Sequence, residues 1–335
     1  MKKVVTFGEI MMRLSTPRHT RFQQATSFDI NFGGGEANVS SSLAIMGVPA
    51  SHVTRFPDND LGNAAINTYR RYGLSMDDVV RGGDRIGIYY VEQGAAMRPS
   101  KVIYDRADSA FATLKPSEFN WEHIFEDAQW FHFTGITPAI SESAALACLE
   151  AAQTASRLGL KVSADVGYRS NLWKWGKRPN EIMPELIENC DVIICSKGDA
   201  EDMFGIVPND DKRSFKSVCQ QLTDRFPKLK KVLTTKRGQI SASHNTLTGK
   251  CWNGFEMLET KQINIPDIVD RIGGGDAFMA GFIFGEIIYQ NTQKAIEFGV
   301  AASALKHTIE GDFNLSSVSE IEAVMNGDVS GKLRR

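Results

Sequence analysis

The segment DRIGGGDAFMAGFIFGEIIY, residues 270–289, decides the fold, because three consecutive glycines and an aspartate lead directly into a long apolar run. Gly273, Gly274 and Gly275 have no side chains, so their backbone N–H groups can turn toward one anion. Asp276 is a residue type expected at or near a helix N-terminus. The segment predicts a phosphate-binding helix start with a carboxylate beside it. A glycine loop with a capping aspartate explains the motif alone equally well.

The apolar run that follows indicates a central helix. Residues 277–285 carry no charge, and their small residues are interleaved with phenylalanines, a pattern typical of a helix that is covered on nearly all sides. A buried helix directs its N-terminal partial positive charge at the cavity it faces. We therefore expect this helix to hold both an anion site and the Asp276 carboxylate in fixed positions.

Composition limits the class of protein. With 335 residues, 42% of them hydrophobic, the chain can form one large α/β domain or two medium ones. A formal charge of −2 gives no general attraction for nucleic acid or anionic membranes, so we expect small-molecule partners. The chain has no apolar run of about 18 residues, and its N-terminus is typical of a first strand and not of a signal peptide. We expect a cytoplasmic protein with buried cysteine thiols.

Strands and helices alternate along most of the chain, which predicts a largely parallel sheet with helices on both faces. The expected strands cover residues 4–7, 51–56, 130–133, 161–165, 192–195 and 231–235. The expected helices cover residues 39–47, 60–72, 141–158 and 180–188, one following Asp199 and one near 212–225. Ligands of such sheets bind beyond the carboxyl ends of strands. The informative loops are therefore 135–137, 166–169, 196–199 and 236–238.

Two segments interrupt this alternation. Residues 85–92 and 101–106 alternate apolar and polar side chains and are separated by a turn containing glycine and proline, so they predict a β-hairpin. The segment 12–32 has no helical period and is expected to be extended. Together these pieces predict a small separate sheet, inserted at about 12–32 and 79–109, that serves as a lid.

The nucleotide and hydrolase motifs that are easiest to recognise are missing. The first strand is not followed by G-x-G-x-x-G, and the sequence contains no GxxxxGK[ST], G-x-S-x-G or H-E-x-x-H. These absences disfavour a dinucleotide oxidoreductase, a Walker-type ATPase, an esterase and a zinc protease. Phosphoryl transfer remains, since it needs an anion cradle, a metal for the phosphates and a carboxylate that accepts a hydroxyl proton.

Two glycine-rich motifs carry a resemblance to a known family. The sequence GGGEANVSSSLAIMG at 33–47 and the sequence DRIGGGDAF at 270–278 are similar to the two signatures of the ribokinase-like, or PfkB, carbohydrate kinases. The resemblance covers almost the whole chain. It is closest to the branch that phosphorylates 2-keto-3-deoxygluconate, through the motifs GGGEAN, IYYVEQG, VIYDRADSA, FTGITPAI, DVGYRSNLW and KHTIEGDF.

The resemblance implies both an architecture and a reaction. The implied fold is ribokinase-like, with a central mostly parallel sheet, flanking helices and a β-sheet lid in a kinase domain at 1–325, followed by a tail at 326–335. The implied reaction transfers phosphate from ATP, with Mg²⁺, to the terminal hydroxyl of 2-keto-3-deoxygluconate, giving the 6-phosphate. A monovalent cation and a homo-oligomeric state are further expectations.

Roles are carried over position by position. The resemblance implies that Asp276 is the general base and that the N–H groups of Gly273, Gly274 and Gly275 form the anion hole. The residues implied to contact or support the sugar are Gly34, Asn38, Tyr89, Tyr104, Arg106, Ile136 and Arg169. The nucleotide is expected near Ser196, Gly238 and Ala302. Ser196-x-x-Asp199 replaces the Asn-x-x-Glu associated with magnesium, which makes Asp199 the weaker metal candidate.

Several alternatives remain at this level. The nearest is a kinase of the same fold that acts on fructose, ribose or an epimeric keto-deoxy acid sugar. Arg106 and Arg169 argue for an acid sugar, because two arginines facing a neutral sugar would lack a counter-charge. A noncatalytic sugar-binding regulator is disfavoured, since it would not need the Asp276 carboxylate beside a phosphate hole.

Overall fold

A nine-stranded sheet forms the centre of the computed structural model, which describes residues 1–169, 171–211, 214–328 and 330–331. The strands, in chain order, are β1 Lys3–Phe7, β2 Met11–Ser15, β3 Asp29–Gly33, β4 Ala50–Val53, β5 Arg55–Phe56, β6 Val80–Arg81, β7 Ile88–Glu92, β8 Lys101–Asp105, β9 Ala128–Thr134, β10 Lys161–Asp165, β11 Val192–Ile194, β12 Lys231–Gln239, β13 Asn245–Trp252, β14 Met257–Glu259 and β15 Ile263–Ile265. The α-helices are α1 Gly35–Ile45, α2 Asp60–Arg70, α3 Trp121–Ile124, α4 Thr137–Ile140, α5 Glu142–Arg157, α6 Pro179–Ile187, α7 Lys197–Phe204, α8 Phe215–Arg225, α9 Gly274–Ile288, α10 Thr292–Lys306 and α11 Val318–Met325.

The main sheet has the order β14-β13-β12-β11-β10-β9-β1-β4, with β15 paired to β13. Strands β4 to β12 of this order are parallel, and β13, β14 and β15 join antiparallel. Successive strand residues point to opposite faces, so Val4 packs in one core cluster while Val5 and Phe7 pack in the other. The predicted α/β class with a mostly parallel sheet is confirmed.

Helix α9 is central, as the apolar run predicts. It packs on α10 so closely that a Cβ on Gly281 would lie 2.7 Å from the Gly299 Cα, and one on Gly285 would lie 2.5 Å from the Ala295 Cα. Only glycine permits this approach, because any side chain would overlap the backbone of the neighbouring helix. The small residues of the segment therefore fix how closely α9 lies against α10.

Several element boundaries differ from those predicted. Helix α1 begins at Gly35, four residues before the predicted start, and the expected strand at 51–56 is divided at Thr54. Strand β12 continues to Gln239, so residues 236–238 lie in a strand and not in a loop. This extension pairs with β13, a hydrogen-bonding partner that the sequence analysis did not identify. The predicted helix start at Lys212 lies outside the described residues, as does part of the predicted tail.

The predicted small sheet is present and has the order β3-β2-β7-β8. Strands β7 and β8 form the predicted hairpin, and the segment expected to be extended supplies β2 and β3. On one face Tyr89 is buried, whereas Ile30 and Ile103 are exposed on the other. Within the described ranges, no helix is both long and apolar enough to cross a bilayer.

Candidate active site

A cavity of about 850 Å³ lies between the carboxyl ends of the central strands, the N-termini of α1 and α9, and the small sheet. Its position is the one expected for ligands of parallel α/β sheets. Residues predicted for three separate roles meet in its lining, namely Gly34, Asn38, Tyr89, Tyr104, Arg106, Ile136, Arg169, Gly273, Gly274, Gly275 and Asp276.

The start of α9 has the geometry of an anion cradle. Gly273 adopts a left-handed conformation with φ of 85°, and a Cβ there would lie 2.1 Å from the Asp312 carbonyl oxygen. Gly275 has open space where a Cβ would stand, so its backbone is accessible from the cavity. The Gly274 N–H donates to the Arg271 carbonyl oxygen at 3.3 Å. The other N–H groups at the start of the helix, which lack an intrahelical partner, can reach an anion such as a phosphoryl group.

Asp276 lies in this first turn with its carboxylate in the cavity. Asn38, on α1, donates a hydrogen bond of 2.7 Å from Nδ2 to Asp276 Oδ2. Burial raises the pKa of Asp276 to about 7, the Asn38 hydrogen bond opposes the shift, and the nearby carboxylates of Asp165 and Asp312 add to it. A carboxylate with this pKa can accept a proton near neutral pH, which is the property that a general base requires.

A buried ionic network holds the loop that precedes α9. Arg13, on β2, donates to Asp270 at 2.5 Å and to Asp312 at 2.7 Å, and all three side chains are almost fully buried. The Tyr89 hydroxyl donates to Asp312 at 2.5 Å. Lys306, which is fully buried, donates from Nζ to the Ile309 carbonyl at 3.0 Å. The network links the small sheet to the glycine loop and limits how far either can move.

The small sheet provides the opposite wall through two tyrosines. The Tyr89 and Tyr104 rings are stacked with their centroids 6.1 Å apart. Tyr89 is 4% exposed and Tyr104 is 54% exposed, so the inner ring is fixed while the outer ring borders solvent. A sugar ring can pack on such aromatic faces.

Arg106 differs from the expectation that it lacks a counter-charge. Its guanidinium forms an ion pair with the Glu9 carboxylate, with Nε 2.8 Å from Oε2 and a second contact from Nη2. Glu9 also accepts a hydrogen bond of 2.5 Å from Ser109. The premise that two arginines face the cavity without compensation is therefore wrong for Arg106, because Glu9 both neutralises and orients it.

Arg169 differs from Arg106, because its charge opposes the burial-driven rise in the pKa of the Asp165 carboxylate without a close ion pair among the described residues. It is exposed at the cavity and donates a 3.0 Å hydrogen bond to the Tyr168 carbonyl. It forms no ion pair with any described residue. Its remaining donors are accordingly accessible to a ligand carboxylate.

Two carboxylates beside the cavity suit a divalent cation. Burial, followed by the charge of Asp199, raises the pKa of Asp165 to about 6. Asp199 itself accepts backbone hydrogen bonds from Tyr168 at 3.0 Å and Ser196 at 2.9 Å. Magnesium commonly uses one or two protein carboxylates together with substrate phosphates, and the donor set present here fits that pattern. Asp165, which lines the cavity, is better placed for this role than Asp199.

The three residues predicted for the nucleotide lie outside the cavity lining. The Ser196 hydroxyl caps α7 by accepting the Asp199 N–H at 3.1 Å. Ala302 is fully buried on α10, against Gly281 of α9. Gly238 lies in the part of β12 that pairs with β13. Each has a structural function in this arrangement, so their contact with nucleotide stays a prediction.

Among the cavity residues that were not assigned a role from the sequence, three charged ones lie at or beyond the ends of strands. Glu9 follows β1, Asp165 ends β10, and Arg237 lies near the end of β12. The rule that ligands bind beyond the carboxyl ends of strands points to all three positions. The segment 236–238, which contains Arg237, was among the informative ones, but the local sequence assigns no role to the charge of Arg237, Glu9 or Asp165, because that role comes from the strands and helices around them.

Comparison with known proteins gives the family. Residues 1–316 match the model of the pfkB family of carbohydrate kinases. The chain is 34% identical to 2-dehydro-3-deoxygalactonokinase of Haloferax volcanii, over 98% of each chain. The crystal structure of 2-dehydro-3-deoxygluconokinase from Thermotoga maritima is 42% identical, with a TM-score of 0.93 over 97% of this chain and 98% of that one.

A more distant structure agrees in fold. Fructokinase of Xylella fastidiosa, solved with bound ATP, is 20% identical, with a TM-score of 0.79 over 97% of this chain and 98% of that one. The family match extends over nearly the whole chain and includes both the α9 cradle and the small sheet. The chain therefore belongs to the pfkB family of carbohydrate kinases.

Proposed function

We propose that this carbohydrate kinase transfers the terminal phosphoryl group of ATP to the terminal hydroxyl of 2-keto-3-deoxygluconate, giving 2-keto-3-deoxy-6-phosphogluconate in the cytoplasm. The observation that carries the proposal is the Asp276 carboxylate, held 2.7 Å from Asn38 in the first turn of α9 with a pKa of about 7. It lies beside three glycines whose amides can bind the transferred group, which is the arrangement that phosphoryl transfer to a hydroxyl needs.

In this mechanism Asp276 accepts the proton of the sugar hydroxyl as its oxygen attacks the terminal phosphorus. The bond from phosphorus to the bridging oxygen breaks, and its electron pair leaves with ADP. The N–H groups of Gly273, Gly274 and Gly275 stabilise the charge on the transferred group. Mg²⁺ bound with ATP supplies charge neutralisation of the phosphates, and Asp165 and Asp199 are the carboxylates that would hold it.

The sugar binds against the wall of the cavity that is formed by the small sheet and the loops after β9 and β10. Arg169 donates to the substrate carboxylate, and Arg106, oriented by Glu9, presents its remaining donors to the same end of the sugar. The tyrosines cover the sugar ring. Gly34, Asn38 and Ile136 complete its contacts, and the adenosine is expected near Ser196, Gly238 and Ala302, which lie outside the cavity lining.

The similarity to named enzymes supports an acid sugar of this class. The relative in Thermotoga maritima is named for the gluconate-derived sugar and the one in Haloferax volcanii for the galactonate-derived epimer. Both substrates carry the carboxylate that Arg169 can bind, and they differ at one hydroxyl. The galactonate-derived epimer is therefore the second candidate substrate, ahead of neutral sugars such as fructose and ribose.

A coupled assay of ADP release tests the proposal. The panel contains both keto-deoxy acid sugars, fructose and ribose, each with MgATP. We expect kcat/KM for an acid sugar to exceed that for either neutral sugar by at least tenfold. Equal or higher values for a neutral sugar would contradict the proposed substrate class. Replacing potassium with tetramethylammonium at constant ionic strength tests the proposed activation by a monovalent cation, which predicts a lower kcat.

The outer face of the small sheet supports a homo-oligomer. Ile30, Leu14, Tyr90 and Ile103 form a cross-strand row over all four strands, and Ile30 is 62% exposed while Ile103 is 54% exposed. An apolar row of this kind is suited to packing against a second copy of the chain. Light scattering on the wild type and on Ile103→Glu tests this assembly: a monomeric wild type would contradict it.

A further inference from the structure

The carboxyl end of β12 places an arginine over the phosphate side of the cavity. Strand β11 ends at Ile194, which pairs with Leu233, whereas β12 continues to Gln239. Beyond the parallel sheet, β12 pairs with β13, and Arg237 is opposite Leu247. The two strands therefore project past the edge of the sheet at which the cavity opens.

The part of β12 and β13 that extends beyond the parallel sheet has two faces, and the face that carries Arg237 is directed at α9 and α10. Directly opposed residues of an antiparallel pair share a face, and Leu247, opposite Arg237, is buried in the core cluster that includes both helices. Two residues along β13, a Cβ on Gly249 would contact Val300 of α10 and Phe278 of α9. Arg237 accordingly lines the cavity together with Gly273, Gly274 and Gly275.

Arg237 has no partner for its charge in the part of the chain that the structure describes. Among the residues that the structure describes, it forms neither an ion pair nor a side-chain hydrogen bond. Arg271, which also lines the cavity, differs because its guanidinium donates to the carbonyls of Ser241 and Ala242 at 2.7 Å. One arginine is thus held by the backbone, and the other keeps all its donors available.

The surroundings of Arg237 are cationic on this side. Desolvation in the cavity and the positive charge of Arg271 lower the pKa of Arg237 from the usual value, although its side chain remains exposed to solvent, and both arginines disfavour a positive charge on His307. His307 in turn is so near the cradle that a Cβ on Gly274 would lie 2.5 Å from its ring. An unpaired guanidinium beside a second cation and an anion cradle is compensated when a multiply charged anion binds.

We propose that Arg237 is a further catalytic residue, which binds the terminal phosphates of the nucleotide and stabilises the phosphoryl group during transfer. The inference rests on the proposed ATP-dependent reaction. Arg237 takes up no proton: the hydroxyl proton goes to Asp276, and the electron pair of the broken P–O bond leaves with ADP. The guanidinium donates two hydrogen bonds to phosphate oxygens, a geometry that lysine cannot reproduce.

The test combines turnover with a nucleotide series. We expect Arg237→Gln to lower kcat on the order of 10- to 100-fold, because hydrogen bonds between charged groups are lost, and Arg237→Lys to recover only part of it. Calorimetry with AMP, ADP and β,γ-imido-ATP is expected to show unchanged affinity for AMP and the largest loss for β,γ-imido-ATP. Lys236→Gln is the matched control, since this neighbour points to the other face of β12 and should leave kcat and affinities unchanged.

Three results would overturn the inference. A kcat within twofold of wild type in Arg237→Gln would remove Arg237 from catalysis. An equal loss of affinity for AMP and β,γ-imido-ATP would place it at the nucleoside or in the fold. Loss of folding in both Arg237 variants, seen by circular dichroism, would assign it a structural role. A wild type inactive on every sugar, with the nucleotide series as expected, would instead contradict the proposed function.

Discussion

The two walls of the cavity differ in how firmly the chain holds them. At the phosphate wall, Arg13, Asp270 and Asp312 form a nearly fully buried network behind the α9 cradle. At the sugar wall, every residue of β8 is exposed, and among the described residues Arg169 hydrogen-bonds to the neighbouring Tyr168 carbonyl alone. Groups that stabilise a transition state must be positioned before the reaction, whereas groups that admit and select a substrate need freedom to move.

The two walls should therefore control different properties of the enzyme. Changes at the phosphate wall should affect turnover with every substrate, since they alter the chemical step. Changes at the sugar wall should affect which sugar is used, because they alter contacts that only some sugars make. The following substitutions and measurements separate these two effects.

The largest effect is expected for Asp276→Asn, which preserves shape and removes the proton acceptor. Loss of a general base lowers kcat by roughly 100- to 10,000-fold. Binding of ATP and sugar should change little, because Asn keeps the size of the side chain. Steady-state kinetics on an acid and a neutral sugar, with calorimetry, measure both effects. A near-normal kcat would remove Asp276 from the mechanism.

A smaller and more selective effect is expected for Arg169→Ala. Hydrogen bonds to charged groups contribute about 1.5–3 kcal/mol each, so kcat/KM for 2-keto-3-deoxygluconate should fall by roughly ten- to a hundredfold. The loss on fructose should be much smaller. Arg106→Ala serves as the comparison, with a weaker effect, because Glu9 already neutralises that guanidinium. Equal losses on both sugars would show that the arginine holds structure or phosphate.

The folding stability of the protein should also depend on pH through the raised pKa of Asp276. Its pKa of about 7 lies above the value of about 3.9 in an unfolded chain. The folded protein therefore binds the Asp276 proton more tightly than the unfolded chain does. The stability that this protonation adds is fully present below about pH 4 and is lost as the pH rises through about 7. The Asp276→Asn variant has a side chain that does not ionise, so its stability is not lost in this way as the pH rises. We expect its Tm to exceed that of wild type by a few degrees at pH 8 and by less at pH 5.

The smallest structural response is expected in the lid. The exposed strand β8, including Tyr104, should become more protected when sugar binds, because closure of the β7–β8 hairpin excludes water from its outer strand, whereas Tyr89 is already buried. The amide hydrogen-exchange rates of residues 85–106, measured with and without saturating sugar, test this prediction. The α9 segment serves as the internal control, since its buried helix should exchange slowly in both states. Unchanged exchange in the hairpin would contradict its assignment as a lid.

How far the sequence predicts the structure depends on the range of the interactions involved. The α/β class, the hairpin and the α9 start follow from local periodicity and glycine placement, and the structure has all three. The length of β12 does not, because its last residues are strand only through pairing with β13. A strand extension that depends on a distant partner leaves no periodic signal of its own.

The site shows the same limit. Asp276 is recognisable because its function and its position at a glycine-rich helix start coincide in one motif. The pairing of Arg106 with Glu9 joins residues that are 97 positions apart, so sequence reasoning treated the arginine as uncompensated. Asp165 and Arg237 likewise acquire their roles from strands that are assembled only in the fold.

The central claim is that Asp276 is the base whose protonation limits turnover, and the pH profile of kcat in Asn38→Leu tests it most directly. Asn38 lowers the pKa of Asp276 through its 2.7 Å hydrogen bond, so removing that bond should raise it. The wild-type kcat should fall below about pH 7, since the base must be deprotonated, and in Asn38→Leu the fall should begin at a higher pH. An acidic limb at the same pH in both proteins would contradict the assignment.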